Sequence, residues 1–288
     1  MKKVLFTLLL AVLFVSCDDK LDKKKTDTGY VVKELNTKSP DSDQYVLIKT
    51  SKGDIKIKLY RETPLHRKNF INLVMNGYYN GQIFHRVVPG KLIQAGDYTS
   101  INDPDGKTLG ENDVDYAVPA EIDATKRIHK RGALAAASSG GHFYIVTNKK
   151  VKAHEVDDAE KEYTKKLVNI KLQELMKPHT KELNRLRKQG ESNNRKQEEY
   201  EKRVNELYKE AKKLTKDFHY TTTQRNTYLG SGGLPGNDAN YTVFGEVVEG
   251  MDVVDAISWV SIYKDGIYKE RPLDKVYIKE IKILNGRR

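Results

Sequence analysis

The 288-residue sequence predicts a mainly β domain, a closed barrel or a sandwich, interrupted by one long helical insertion. Three observations predict it. Short apolar runs rich in Val, Ile, Phe and Tyr recur along residues 43–148 and 219–288, several alternating with polar positions. Gly-rich turns separate these runs. Residues 149–218 break the pattern, with 20 Lys/Arg and 14 Asp/Glu and no glycine except Gly190.

The chain opens on Met1-Lys2-Lys3 and then twelve uncharged residues, Val4–Val15. At ~1.5 Å per residue this run makes ~18 Å of helix, short of a ~30 Å hydrocarbon core. A basic start and an apolar run of that length read as a secretory signal. Ser16-Cys17 follows, and the one cysteine of the chain stands where cleavage falls. The arrangement resembles a bacterial lipobox, with Phe14 where a Leu is usual. The expectation is a signal peptide over 1–16, lipid attachment at Cys17, and a polar, aperiodic tether over 17–42. Such a protein would be lipid-anchored in a bacterial cell envelope, periplasmic or at the outer membrane. An ordinary signal peptide with an incidental cysteine is the alternative. A single cysteine excludes an internal disulfide framework and a Cys-based zinc site.

Gln44–Thr50 and Gly53–Tyr60 read as a β-hairpin, with Ile55, Ile57 and Leu59 alternating with Lys56, Lys58 and Tyr60 around the turn Ser51-Lys52-Gly53-Asp54. Thr63-Pro64 offers a helix N-cap followed by Pro at the first helical position. Phe70, Leu73 and Val74 give that helix its apolar face, and Gly77 stops it. Further strands are expected at 83–88, 91–95, 132–137, 143–147, 241–247 and 276–284, with a second short helix over Met251–Ser258.

In residues 149–218, Tyr200, Val204, Leu207, Ala211, Leu214 and Phe218 recur at spacings of 4, 3, 4, 3 and 4, an a/d stripe. Val168, Leu172, Leu175, Leu183 and Leu186 make a less regular stripe upstream, with Pro178 as a kink and Gln189–Asn194 as the turn. The reading is an inserted helical hairpin carrying six of the eleven net positive charges. A solvated hairpin that buries only its own seam is one account of it. A partner-binding or chaperone arm, or a dimer seam, is another. Interleaved charges of both signs and the apparent export speak against a nucleic-acid partner.

The run Phe84-His85-Arg86-Val87-Val88-Pro89-Gly90-Lys91-Leu92-Ile93-Gln94-Ala95-Gly96-Asp97 resembles the signature of cyclophilin-type peptidyl-prolyl cis–trans isomerases. Three more blocks keep the order of that family: RGALAAA at 131–137, HFYIV at 142–146 and YTVFGEV at 241–247. The resemblance implies a closed eight-stranded antiparallel barrel capped by two helices, with a substrate groove on its outside and the helical hairpin inserted between the third and fourth blocks. It implies isomerisation of X-Pro bonds in envelope polypeptides, assisting their folding, with no nucleophile, metal or cofactor. By the same resemblance Arg86 is the catalytic guanidinium, and Gln94 orients it and binds the substrate backbone. Leu92, Ala137, Ser138, His142, Tyr144, Asn237 and Tyr241 contact the proline-containing polypeptide.

The sequence departs from the family pattern in places. Tyr144 replaces a Phe, Leu92 a Met, Tyr241 a His and His142 a Gln. Lys91 stands where a pocket Phe is expected, and Gly236-Asn237 replaces a Trp-Leu pair. These changes imply a shallower, more polar pocket with slower or more selective catalysis and weak cyclosporin affinity. The alternative is a non-catalytic cyclophilin-like module that binds partners or acts as a chaperone through the hairpin. Asp97 is expected to be a turn or barrel-rim partner rather than a catalytic acid, because isomerisation transfers no proton. Asn102–Gly106 lacks the end carboxylates of a calcium loop and reads as a turn.

Overall fold

The computed structural model describes residues 42–101, 108–137 and 140–284. The expected signal segment, Cys17, the expected tether through residue 41, the turn expected at Asn102–Gly106 and Ser138 lie outside the described residues.

The opening hairpin forms as its alternation requires. Strands β1 (Gln44–Thr50) and β2 (Gly53–Leu59) pair from Gln44–Leu59 to Thr50–Gly53. Val46, Ile48, Ile55, Ile57 and Leu59 are fully buried on one face. Six more strands follow: β3 (Arg86–Val88), β4 (Leu92–Ala95), β5 (Ala133–Ala136), β6 (Phe143–Val146), β7 (Val243–Glu249) and β8 (Ile278–Leu284). All ladders are antiparallel, in the order β3-β4-β6-β5-β7-β2-β1-β8.

The expected closed barrel is an open, curled sheet. Its two edges meet at a single bridge, Ile83 to Tyr277, flanked by bonds from Phe84 N to Val276 O and from Ile278 N to Gln82 O. These bonds also explain why the strand expected at 83–88 shrinks to Arg86–Val88. Residues 82–84 turn their backbone groups to 276–278, away from β4.

Helices α1 (Pro64–Met75) and α6 (Met251–Ser258) cover the sheet, burying Phe70, Leu73, Val254 and Ile257 in the main core. Pro64 opens α1, but Thr63 makes no side-chain cap. The Glu121 carboxylate takes that place, accepting from Leu65 N at 3.1 Å and His66 N at 2.9 Å. An anion on the first free N–H groups of a helix is the favoured arrangement there.

The insertion is three helices rather than a two-helix hairpin: α2 (Ala153–Met176), α3 (Thr180–Gly190) and α4 (Asn194–Leu214). A 3-10 turn at Lys177–His179, containing Pro178, separates α2 from α3. Val168, Leu172, Leu183, Leu207 and Ala211 form its distal core. The heptad stripe of α4 stops there. Leu214 is 57% exposed, and Phe218 belongs to a different cluster.

The insertion does not bury only itself. Val156, Ala159 and Tyr163 in the first half of α2 pack with Ala124, Ile128, Phe218, Tyr220, Tyr228 and Ala239. One further helix, α5 (Thr222–Ser231), was not anticipated. A capping box announces it, with the Thr221 hydroxyl accepting from Gln224 N and the Gln224 side chain accepting from Thr221 N.

Candidate active site

Antiparallel register brings the motif residues of distant segments into one row. Arg86 on β3 lies opposite Gln94 on β4, Gln94 opposite Tyr144 on β6, and Tyr144 opposite Ala135 on β5, which is opposite Val243 on β7. Leu92, two residues from Gln94 and on the same face, lies opposite Val146. On this outer face Leu92, Ala137 and Leu234 pack around Tyr144, Val146, Ala133, Ala135 and Val243. The result is a polar end at Arg86 and Gln94 beside an apolar shelf.

Arg86 is 44% exposed in its side chain yet held at two points. Its Nε donates to Glu270 Oε2 at 2.6 Å, and its Nη1 donates to Gln94 Oε1 at 3.2 Å. Glu270 was missed at the sequence level, because nothing marks a lone carboxylate 184 residues away as the partner of Arg86.

Tyr144 is buried, with its ring stacked on His129 at 5.9 Å and 14°. Burial pushes its phenol well above the usual tyrosine range, so it stays neutral. Its hydroxyl accepts from Asn237 Nδ2 at 2.9 Å. Tyr241, 39% exposed, meets the Tyr144 ring edge-on at 5.8 Å. The structure therefore gathers Arg86, Gln94, Leu92, Ala137, Tyr144, Asn237 and Tyr241 around one shelf. Lys91 is exposed and adds no apolar wall. A Cβ at Gly236 would meet no atom within 4 Å, so the wall is open where a large residue was expected.

His142 is corrected. Its side chain is buried and its Nε2 bonds to the Asn112 carbonyl at 2.8 Å, with the His85 ring 5.2 Å away, so it is not held ready for a substrate. His85 is itself driven down to a pKa of about 3 by burial and then by the neighbouring His142. Asp97 accepts from Thr99 N, Thr99 Oγ1 and Gly110 N at 2.6–2.8 Å, the work of a turn partner. Burial pushes its carboxyl up, but these bonds outweigh it and the pKa is lowered. Gly96 beside it has φ +116°, and a Cβ there would fall 2.5 Å from His142 Cα, so only glycine lets the two segments approach.

Asp238 anchors the far wall. Its carboxylate accepts from His129 N at 2.8 Å and lies 2.6 Å from His129 Nδ1; Tyr220 and Tyr228 each donate to it at 2.5 Å. Asp238 adjoins Asn237, so two tyrosines outside the family blocks grip the loop that faces Tyr144. Lys166 of α2 also donates to the carbonyl of Ala239 in this loop.

Residues 45–168 and 208–283 match the family model described as cyclophilin type peptidyl-prolyl cis-trans isomerase. The chain is similar to the spliceosome-associated protein CWC27 homolog of Danio rerio, 41% identical over 104 residues, covering 36% of this chain and 21% of that protein. It is also similar to peptidyl-prolyl isomerase cwc27 of Rhizopus delemar, 37% identical over 102 residues, 35% of this chain and 18% of the relative. The chain thus matches only about a fifth of the length of these relatives. A solved cyclophilin type isomerase of Cryptosporidium parvum aligns with 85% of this chain and 100% of its own, at 19% identity and a TM-score of 0.45. The relatives correct the expected location. They are eukaryotic proteins, one of them named as spliceosome-associated, and they overturn the placement in a bacterial cell envelope.

Proposed function

The chain belongs to the cyclophilin type peptidyl-prolyl cis-trans isomerases, and on that premise we propose that it catalyses rotation about X-Pro bonds in polypeptides, with Arg86 binding the twisted amide. The observation that carries the proposal is the guanidinium of Arg86, oriented by Gln94 at the polar end of an apolar shelf.

Amide resonance sets a barrier of ~18–20 kcal/mol. In the twisted amide that resonance is lost, the prolyl nitrogen becomes pyramidal, and its lone pair can accept a hydrogen bond. A fixed donor at that point binds the transition state better than either planar isomer. One charge-assisted bond contributes ~1.5–3 kcal/mol, or ~10- to 100-fold in rate. The shelf of Leu92, Ala137, Tyr144 and Tyr241 would seat the prolyl ring while the preceding carbonyl swings. Gln94 would hold the peptide backbone as well as the arginine. The reaction transfers no proton, which fits a site whose phenol is neutral and beside which Asp97 is engaged in a turn.

A protease-coupled isomerisation assay on a proline peptide tests the reading. Arg86→Ala should lose at least about tenfold in kcat/KM. A wild-type rate no greater than the uncatalysed one would defeat it. The second reading, a non-catalytic binding module, draws on the exposed Lys91 and the open wall at Gly236. It expects suppression of aggregation of an unfolded protein that survives Arg86→Ala and is lost when the distal helices are disrupted.

A further inference from the structure

Among the described residues Glu270 is the only non-glycine with a positive φ, at 66°. A residue with a Cβ pays for the left-handed region, and glycine does not. Such an outlier persists only where its surroundings enforce it, and it points to a role for the side chain. The surroundings here are tied together by backbone bonds. Tyr263 N bonds to Arg271 O and Glu270 N to Tyr263 O, both at 2.9 Å, and an Ile262–Pro272 bridge closes the loop. The Arg271 guanidinium lies over the Tyr268 ring at 4.5 Å.

Two bonds run from Glu270 to the edge strand β3. Its carbonyl accepts from Val87 N at 2.7 Å, and its carboxylate accepts from Arg86 Nε at 2.6 Å. Glycine would serve the first bond and relieve the backbone. Only a side chain with an acceptor oxygen serves the second.

We propose that Glu270 is the positioning residue of the active site. Its carboxylate fixes the Nε edge of Arg86 and so aims the terminal nitrogens over the shelf. A guanidinium has five N–H groups in a fixed plane, so holding Nε from one side and Nη1 from another settles the rotation of that plane. Gln94 alone, at 3.2 Å, would leave the group free to pivot about one contact. The inference rests on the catalytic reading of Arg86 for its effect on rate, but the restraint itself can be observed without turnover.

The test uses the full chain with Glu270→Gly, Glu270→Gln and Arg86→Ala. Arg86→Lys identifies the Arg86 Nε–H resonance in the nitrogen-15 spectrum by removing it. In the wild type that proton should exchange slowly and appear as a sharp signal. Glu270→Gly should broaden or lose it and lower kcat/KM by about tenfold, while melting at or above the wild-type temperature because the left-handed residue is now glycine. Glu270→Gln keeps an acceptor for Nε–H and should restore the signal and most of the activity. A sharp, slowly exchanging signal in Glu270→Gly overturns the proposal, as does full kcat/KM in that variant when Arg86→Ala has lost its activity. If wild type and Arg86→Ala turn over alike, the catalytic reading fails, and the resonance still decides whether Glu270 restrains the guanidinium.

Discussion

A guanidinium on a flexible stem helps a rotating amide only if its direction is set beforehand, and Arg86 is set by neighbours on two other segments of the chain. The rest of the site is less complete. The wall at Gly236 opens on empty space, and the glycine lies outside the left-handed region, so a side chain fits without backbone strain. Gly236→Leu should extend the apolar shelf and lower KM for a proline peptide about two- to tenfold, worth ~0.4–1.4 kcal/mol of added burial, with little change in kcat. Steady-state kinetics at several peptide concentrations checks it.

His85 gives a separate, titratable consequence. An unfolded histidine takes a proton near pH 6.5, whereas folded His85 resists it down to about pH 3 because of its burial and then the charge of His142, with Asp97 pulling weakly the other way. Between those values the unfolded chain binds a proton that the native chain does not, so stability falls as pH drops from about 6.5 toward 3. His85→Asn should flatten that limb in a series of thermal melts across pH. An unchanged slope would show that other groups control acid unfolding.

Elements whose two faces differ were legible, and elements stabilised from outside were not. The hairpin β1–β2 follows from alternation alone, since a shift by one residue would turn Ile55, Ile57 and Leu59 to water. Helix α6 was readable to the residue for a similar reason. Helix α5 was not, because Thr222–Ser231 has little apolar periodicity and is held by its capping box and by Tyr228 buried against Asp238. The start of α1 was located correctly but its cap was assigned to Thr63, since the donor of charge, Glu121, is far away in sequence. For α5 the dependence on one carboxylate gives a prediction. Tyr228→Phe removes one bond to Asp238 and should cost ~1.5–3 kcal/mol in chemical denaturation. It should also raise KM, because Asn237 is adjacent to the loosened residue. A stability loss with no change in KM would separate the anchor from the groove.

The helical insertion and the β-domain share one contact layer and hold separate cores. The first half of α2 packs on Ala124, Ile128 and Ala239, whereas the distal half joins α3 and α4 around Leu172, Leu183 and Leu207. Truncation of a fully buried leucine leaves a cavity and costs ~2–5 kcal/mol. Leu207→Ala should therefore raise hydrogen exchange throughout α3 and α4 while leaving β1, β2 and the isomerase rate near wild type. Loss of protection in the sheet as well would mean the two cores unfold as one unit.

The sequence by itself determined the β character of the chain, the position of its helical interruption, the face that strand β2 buries and the family motif that groups Arg86 with Gln94. All of these rest on local periodicity or on residues eight positions apart on paired strands. Tertiary structure alone decided that the sheet edges meet only at the Ile83–Tyr277 bridge, that His142 turns inward to Asn112, that Tyr220 and Tyr228 grip the groove loop through Asp238, and that Glu270 holds Arg86. Each of those is a pairing of polar groups between distant segments. A hydrogen bond is satisfied by whichever partner the folded chain brings within about 3 Å, and no spacing along the chain encodes which one that is.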